Sequence, residues 1–488
     1  MGIVTEQEHV VLNPREADFD VTVEVAVIGA GACGYCAALA ARDQGAEVLV
    51  VERDPTPLGS TTMSTGLIPA AGTRFQHEKS VSDSAELFAE DILRKAAYKT
   101  DAEIVLALAR ESGPTVEWLV DAHRVPLTLV SSFLYPGHSR HRMHGTPGRS
   151  GAELMAALIS AGDRAGVDVL TSATATHLFA GTDGTIHGLR VTRPDGSHED
   201  IGCGALVLAC CGYAGNREML ARFIPEMVDA EYFGHPGNKG DAVRWGRALG
   251  ASIMDLGAYQ GHGGLAVGHG IPILWPLIME GGIQVNMNAR RFSNEAQGYS
   301  EQAAIVIAQP GHIAYDIFDE RLHRLMMEFQ DYRDAYEAGA IISADSASSL
   351  AQALGIPEAG LIETLDEVEQ IARGKRQCPF GRSFNSRHVL KAPFYAAKVK
   401  GALFHSQGGL QVDGRARVLR ESGNPMPNLL AGGGAARGVS GPGGWGYLAG
   451  NGLLTATTFG RLAGETAAEI VKASRTHPAV VGERAERL

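Results

Sequence analysis

Gly29, Gly31 and Gly34 close the stretch Val23 to Gly34, and Glu52 follows a second apolar run from Glu47 to Val51. Those residue types at that spacing can hold a dinucleotide. Gly29 permits a sharp turn, Gly31 has no side chain to block a pyrophosphate, and Gly34 lets the next helix sit close to the strand before it. The pyrophosphate then meets free N–H groups and the positive end of the helix dipole. Glu52 brings a carboxylate that can accept hydrogen bonds from ribose hydroxyls. A lone glycine triplet says little. Strand, glycines, helix, strand and acid in that order within one short unit say much more.

Other residues can carry chemistry, each with a plainer alternative. His138, His141 and His144, with Arg140 and Arg142, crowd a basic loop over residues 138–151. That loop can grip a carboxylate or simply face water. One of Arg382 and Arg387 can enter a pocket, and Trp445 can wall a pocket or pack in the core. Cys33 and Cys36 form a C-x-x-C, a pattern that can mark a redox disulfide. Both fall on the first turns of the nucleotide-binding helix, where small side chains are needed, so packing is the expected role. Cys210 and Cys211, adjacent in an apolar strand, read as core in the same way. The six cysteines show no metal-ligand spacing, and no metal is expected.

These residues need a scaffold, and the chain is long enough to supply one. Its 488 residues suffice for two or three domains with a large core. The 45% apolar and 20% charged content is that of an ordinary soluble enzyme. A net charge of −12 argues against nucleic acid or an anionic membrane as partner. The 61 glycines cluster in a few loops, where backbone must approach a ligand. The first twenty residues are acidic and polar, with no signal-peptide pattern, and no run approaches a transmembrane span. With cysteines that read as reduced, a cytoplasmic location is expected.

Residues 23–58 form the first βαβ unit, followed by the hydroxyl-rich loop Gly59 to Gly66. The spacing of apolar positions predicts helix over 83–122 and again over 151–165, then a strand over 167–171. Pro194-Asp195-Gly196 marks a hairpin turn, and Ala205 to Ala209 is a buried strand. Between about 256 and 395 short strands alternate with helices such as 346–354 and 360–373. A glycine-rich block over 426–452 precedes a final helix over 453–473, and the polar tail is expected to fray. The fold expected is α/β: a Rossmann-like domain built from both ends of the chain (1–255 and 396–488), with an inserted α+β capping domain over 256–395.

The chain resembles the fumarate reductase/succinate dehydrogenase flavoprotein family, which includes soluble fumarate reductases and 3-ketosteroid Δ1-dehydrogenases. The resemblance covers nearly the whole chain. It rests on Gly29 to Gly34 with Glu52, the loop Gly59 to Gly66, Ala205 to Gly212, and Gly240-Asp241. It continues through Arg291-Phe292-Ser293-Asn294-Glu295, His405-Ser406-Gln407-Gly408-Gly409, and the block from Leu429 to Asn451. The implied cofactor is FAD. The implied contacts are Gly29, Gly31, Gly34, Glu52, Ser60, Thr61, Thr62, Thr65, Gly66, Gly212, Asp241, Gly433 and Leu448. Some members attach FAD to a histidine in the loop after the first unit. Residues 59–73 contain none, so noncovalent FAD is expected. A family glutamate that contacts the cofactor is Gly434 here.

The resemblance also bears on the reaction. Fumarate reductases place an arginine proton donor where this chain has Tyr299, and Trp275 and Ile278 fall where its proton relay would be. Tyr447 stands where an arginine clamps substrate. The ketosteroid dehydrogenases instead place a tyrosine at the Tyr299 position, as the base that removes a proton α to a ketone while the β-hydride goes to flavin N5. Such a proton is acidic only if the enolate oxygen is stabilised. The family supplies one donor from the backbone N–H corresponding to Gly443, and Tyr447 lies close enough in sequence to supply a second. His405 and His262 match histidines that bind substrate carboxylate in fumarate reductases. The mixed site implies a small cyclic ketone or keto acid, similar to the substrate of 4-oxocyclohexanecarboxylate desaturases that lead towards 4-hydroxybenzoate. The catalytic residues expected are Tyr299, Gly443, Tyr447 and His405. Those expected to bind substrate are His262, Arg142, Arg382 and Trp445. Oxygen or another carrier would accept the electrons. A fumarate-type enoate reductase and a 3-ketosteroid Δ1-dehydrogenase are the alternatives.

Overall fold

A computed structural model of the chain describes residues 10–476. Residues 1–9 of the acidic leader, in which no signal peptide is expected, and the tail from 477 on, expected to fray, lie outside the described residues. The apolar run before the glycines forms the strand Val21–Ile28. Parallel neighbours cover both of its edges, Val48–Val51 on one side and His198–Leu208 on the other. Its last four residues are buried, as a β-branched strand inside a parallel sheet should be.

The strand His198–Leu208 changes partners along its length. Its first half pairs antiparallel with Ile186–Thr192 across the expected hairpin, and its last residues pair parallel with Pro425–Ala431, Leu206 opposite Leu429. Strands from both ends of the chain therefore build one nine-stranded sheet.

The helix Ala32–Asp43 is buried from Ala32 to Ala41 because the C-terminal helix Asn451–Thr476 lies directly on it. A Cβ on Gly464 would come within 2.1 Å of the Ala37 carbonyl oxygen, and one on Gly460 within 2.5 Å of the Cys33 oxygen. Only small residues allow that approach. Cys33 and Cys36 sit in this contact as free thiols, and burial pushes Cys36 up to about 12. They are packing residues.

The pattern over 83–122 proves to be two helices, Ala85–Lys95 and Ala102–Asp121. Ala97 and Tyr98 adopt φ of 48° and 55° between them, and the Asp101 carboxylate caps the second helix by accepting the Glu103 and Ile104 N–H groups. The apolar spacing runs on across this break, so periodicity alone does not register it.

A second sheet of six strands is organised on the long strand Phe394–Ser406. Tyr259–Ala266, Ile313–Asp319 and Ile341–Ala344 pair antiparallel with it, and Glu231–Tyr232 pairs parallel. This sheet draws on residues on both sides of the 256–395 span. Its spine ends at His405 and Ser406, where Ser406 Oγ accepts the Tyr213 N–H at 3.0 Å and ties the second sheet to the first domain. No helix among the described residues is long and apolar enough to cross a membrane.

Candidate active site

Two contiguous cavities of about 1110 and 840 Å³ meet at Ser60, Thr61, Cys211, Gly434 and Ala456. The smaller one is the groove at the glycine turn. Gly29, Gly31, Glu52, Ser60, Thr61, Asp241 and Gly433 line it.

Its fit to a dinucleotide can be tested on the backbone. Gly31 is the N-cap of helix Ala32–Asp43 and offers no side-chain cap; Ala32 N–H donates to Thr61 Oγ1 at 3.2 Å, and the Cys33 and Gly34 N–H groups stand open to an anion. A Cβ on Gly31 would have only Thr61 Oγ1 near it, at 3.5 Å, and would project into the groove. Glu52 accepts the Ala30 and Asp54 N–H groups at 2.8 and 2.9 Å, which braces the turn. A carboxylate has acceptor sites to spare for ribose hydroxyls. The residues present fit FAD.

Not every expected contact lines these cavities. Thr65 lines the larger one. Gly34, Gly66 and Gly212 instead permit close packing: a Cβ would meet the Gly29 oxygen at 1.8 Å, the Ser150 oxygen at 2.6 Å and Ser406 Oγ at 2.1 Å, respectively. Thr62 donates to the Leu58 carbonyl at 2.8 Å, and Leu448 is wholly buried.

The larger cavity gathers residues far apart in sequence. Tyr299 opens the helix Tyr299–Ile307, His262 lies on the strand Tyr259–Ala266, His405 ends the spine strand, and Tyr447 precedes the C-terminal helix. All four line it. The Tyr299 ring centroid is 5.2 Å from His262, 6.1 Å from Tyr447 and 6.2 Å from Trp275. Phe404 stacks on His262 at 5.1 Å, and Tyr447 meets His405 edge-on at 5.8 Å.

The state of both imidazoles follows from their surroundings. Gly264 N–H donates to His262 Nδ1 at 3.0 Å, which leaves the ring proton on Nε2. Asn451 donates to Ser440 Oγ, Ser440 donates to Gln407 Oε1, and the Gln407 amide nitrogen thus turns to His405 Nδ1 at 3.1 Å. His405 Nδ1 stands between that amide and the Ser406 carbonyl, the latter at 3.3 Å. Burial pushes His262 down to about 3 and His405 down to about 4, so both are neutral hydrogen-bond donors at physiological pH. Among the described residues, no arginine or lysine lines the cavity.

Four residues expected at the site lie elsewhere. Arg142 is fully buried between Asp83 and Asp91, at 2.7 and 2.5 Å. The histidines around it are spent in the same way, His138 on the Ala449 carbonyl and His144 on Thr73. Arg142, His138 and His144 thus form an internal clamp, while Arg140 in the same loop is exposed and donates to the Ser82 carbonyl at 2.9 Å. Arg382 pairs with buried Glu295 at 3.1 Å and donates to the Gly282 and Ile278 carbonyls, while Arg387 is exposed. Trp445 is 40% exposed, with Lys99 over its ring. Gly443 does not line the cavity, and its carbonyl accepts the Gly446 N–H. Replacing Arg142 by alanine leaves buried Asp83 without its ion pair and Asp91 with Arg94 alone, so a loss of about 3–5 kcal/mol is expected in urea unfolding. Affinity for substrate should not change in the fraction that remains folded.

Several lining residues carry no motif. Tyr135, Gln260 and Asp331 are the three with polar chemistry, and Phe233, Phe404 and Trp275 supply the wall. Gln407, by contrast, sits inside the His405 to Gly409 motif and was open to discovery from it.

Comparison with known proteins adds to this geometry. The family model described as FAD binding domain matches residues 24–453. The probable fumarate reductase Ifc3 of Shewanella frigidimarina is 30% identical over 448 residues, covering 92% of this chain and 75% of that protein. Among solved structures, the open conformation of a flavocytochrome c3 fumarate reductase matches with a TM-score of 0.77 at 28% identity, over 93% of this chain and 79% of that one. A 3-ketosteroid-Δ4-(5α)-dehydrogenase from Rhodococcus jostii RHA1 shares the fold, with a TM-score of 0.72 at 22% identity over 93% and 99% of the two chains.

Proposed function

The chain belongs to the FAD-binding-domain flavoproteins, and from that premise we propose that it desaturates a cyclic ketone by removing an α-proton and a β-hydride. It is an FAD-dependent oxidoreductase acting on CH–CH groups. FAD, when bound in the groove, supplies the acceptor for the hydride. The observation that carries the reading is the lining beside that groove: three tyrosines and two neutral imidazoles and, among the described residues, no guanidinium or ammonium.

Tyr447 Oη accepts the Gly452 N–H at 3.2 Å, which leaves its own proton free to donate to the ketone oxygen as enolate charge develops. The Nε2–H group of His262 is a further donor for that oxygen. Tyr299 Oη takes the α-proton. Burial and then the neighbouring Tyr447 and Tyr135 hold the Tyr299 phenol well above its ordinary value, so it rests neutral. It must therefore pass its own hydroxyl proton to Tyr447, which hydrogen-bonds it and in turn protonates the ketone oxygen, as it accepts the one from carbon. The Gly450 N–H works in the opposite direction and favours the phenolate. Trp275, Phe404 and the stacked His262 keep water away from this exchange.

The missing cations also bear on the substrate. 4-Oxocyclohexanecarboxylate would bring a charge that no lining residue neutralises, so the cavity favours a ring without a carboxylate. A fused 3-ketosteroid would use the same chemistry on a larger ring. The relatives that are fumarate reductases favour a second reading, reduction of an unsaturated acid. Tyr299 and Tyr447 stand against it, since it needs a cationic grip and a strong proton donor.

Turnover of cyclohexanone with an electron-accepting dye should yield the α,β-unsaturated ketone, lighter by two hydrogens in mass spectrometry. No such product from any cyclic ketone would refute the proposal.

A further inference from the structure

Among the described residues Asp331 is the single acidic side chain lining the cavity, and it belongs to no motif. It stands in the first turn of the helix Gln330–Glu337, two residues after buried Phe329. Phe329 packs on Phe133 at 5.4 Å, and Phe133 packs on Tyr135 at 4.9 Å. That chain of rings sets the carboxylate at the Tyr135 end of the cavity. Tyr135 feels its charge, whereas Tyr447 does not.

No cation answers Asp331. Among the described residues it has neither an ion pair nor a hydrogen bond from another side chain. The groups around it are Tyr135, Asp334 on its own helix, and Arg149, which faces Tyr135 but is engaged with Glu328 at 2.9 Å. Burial first, and Asp334 second, push the Asp331 carboxyl up to about 6, which leaves it ionised above neutrality. A half-buried carboxylate without a partner is costly unless something that enters the cavity donates to it. It also repels an anion, and both cavity imidazoles are neutral.

We propose that Asp331 determines substrate choice: it accepts a hydrogen bond from a hydroxyl or ammonium on the ring, remote from the ketone, and rejects ketones that carry a carboxylate. This rests on the cyclic-ketone reading above. Such discrimination combines an attractive contact with a repulsive one.

The test is calorimetric titration of the FAD-loaded protein with cyclohexanone, 4-hydroxycyclohexanone, 4-aminocyclohexanone and 4-oxocyclohexanecarboxylate, with flavin bleaching followed alongside. The hydroxy and amino ketones should bind about tenfold tighter than cyclohexanone, and the acid most weakly. Asp331→Asn should erase the amine preference and relieve the rejection of the acid. Asp331→Lys should make the acid the tightest ligand. Bound-flavin absorbance verifies that each variant is folded. If all four ketones bleach the flavin but the order of affinity is the same in all three proteins, the Asp331 proposal is overturned while the desaturase reading stands. If none bleaches it yet the order follows residue 331, the desaturase reading fails and Asp331 keeps its role. If none binds, both fall.

Discussion

Tyr299→Phe will purify yellow and fold normally, but reduction of its flavin by a cyclic ketone will be slower by about a hundredfold or more, the usual loss on removing a general base. The substitution keeps the ring, and with it the contacts to His262, Trp275 and Tyr447. It removes the hydroxyl alone. Ketone affinity should change little, because Tyr447 and His262 hold the oxygen. Acidity separates this role from a packing role. The Tyr299 phenol is held neutral by burial, so the deprotonated fraction grows as pH rises towards its elevated pKa. The wild-type rate of flavin reduction should thus climb by about tenfold per pH unit above neutrality. The phenylalanine variant should lack that slope. Single-turnover rates measured across pH test both statements, and equal rates in the two proteins would return Tyr299 to the core.

The second large effect concerns the glycine turn. Gly31→Val should give a folded, colourless protein. Gly31 has φ −81° and ψ −170°, an extended backbone that valine adopts readily. Its new side chain meets little protein, since Thr61 Oγ1 is the one neighbour near the Cβ. It does occupy the path of the pyrophosphate. Gly34→Ala should do the reverse and damage the fold. Its Cβ would lie 1.8 Å from the Gly29 carbonyl oxygen, so the strand and helix would have to separate. A loss of about 3 kcal/mol is expected for such overpacking. Circular dichroism, unfolding curves and the flavin absorbance of the purified proteins distinguish the two outcomes. A Gly31→Val protein that keeps its FAD would show that the pyrophosphate lies elsewhere.

The contrast between these glycines shows what the sequence makes legible. Gly29, Gly31, Gly34 and Glu52 act through backbone rules that operate within one short unit, so their spacing is enough to locate the groove. Tyr299, His262, His405 and Tyr447 come from segments that only tertiary folding joins; resemblance to a family, and not any local rule, singled them out. Arg142 and Arg382 depart from expectation for the complementary reason. Their acidic partners, Asp83, Asp91 and Glu295, are buried with them, and nothing local in the sequence marks a carboxylate as buried. An arginine satisfied in the core looks the same on paper as one waiting for substrate. Gly443 follows its motif but packs behind the site, against the Trp445 ring. Tyr135 and Asp331 belong to no pattern at all and become visible only where the second sheet and its helices close over the groove.

The direction of the chemistry is the central claim, and anaerobic rapid mixing of the oxidised FAD-loaded protein with cyclohexanone or its 4-hydroxy derivative tests it most directly. Bleaching of the flavin within a single turnover is the predicted result. A flavin that stays oxidised with every cyclic ketone, in a protein whose chemically reduced form is promptly reoxidised by an unsaturated acid under argon, would contradict it.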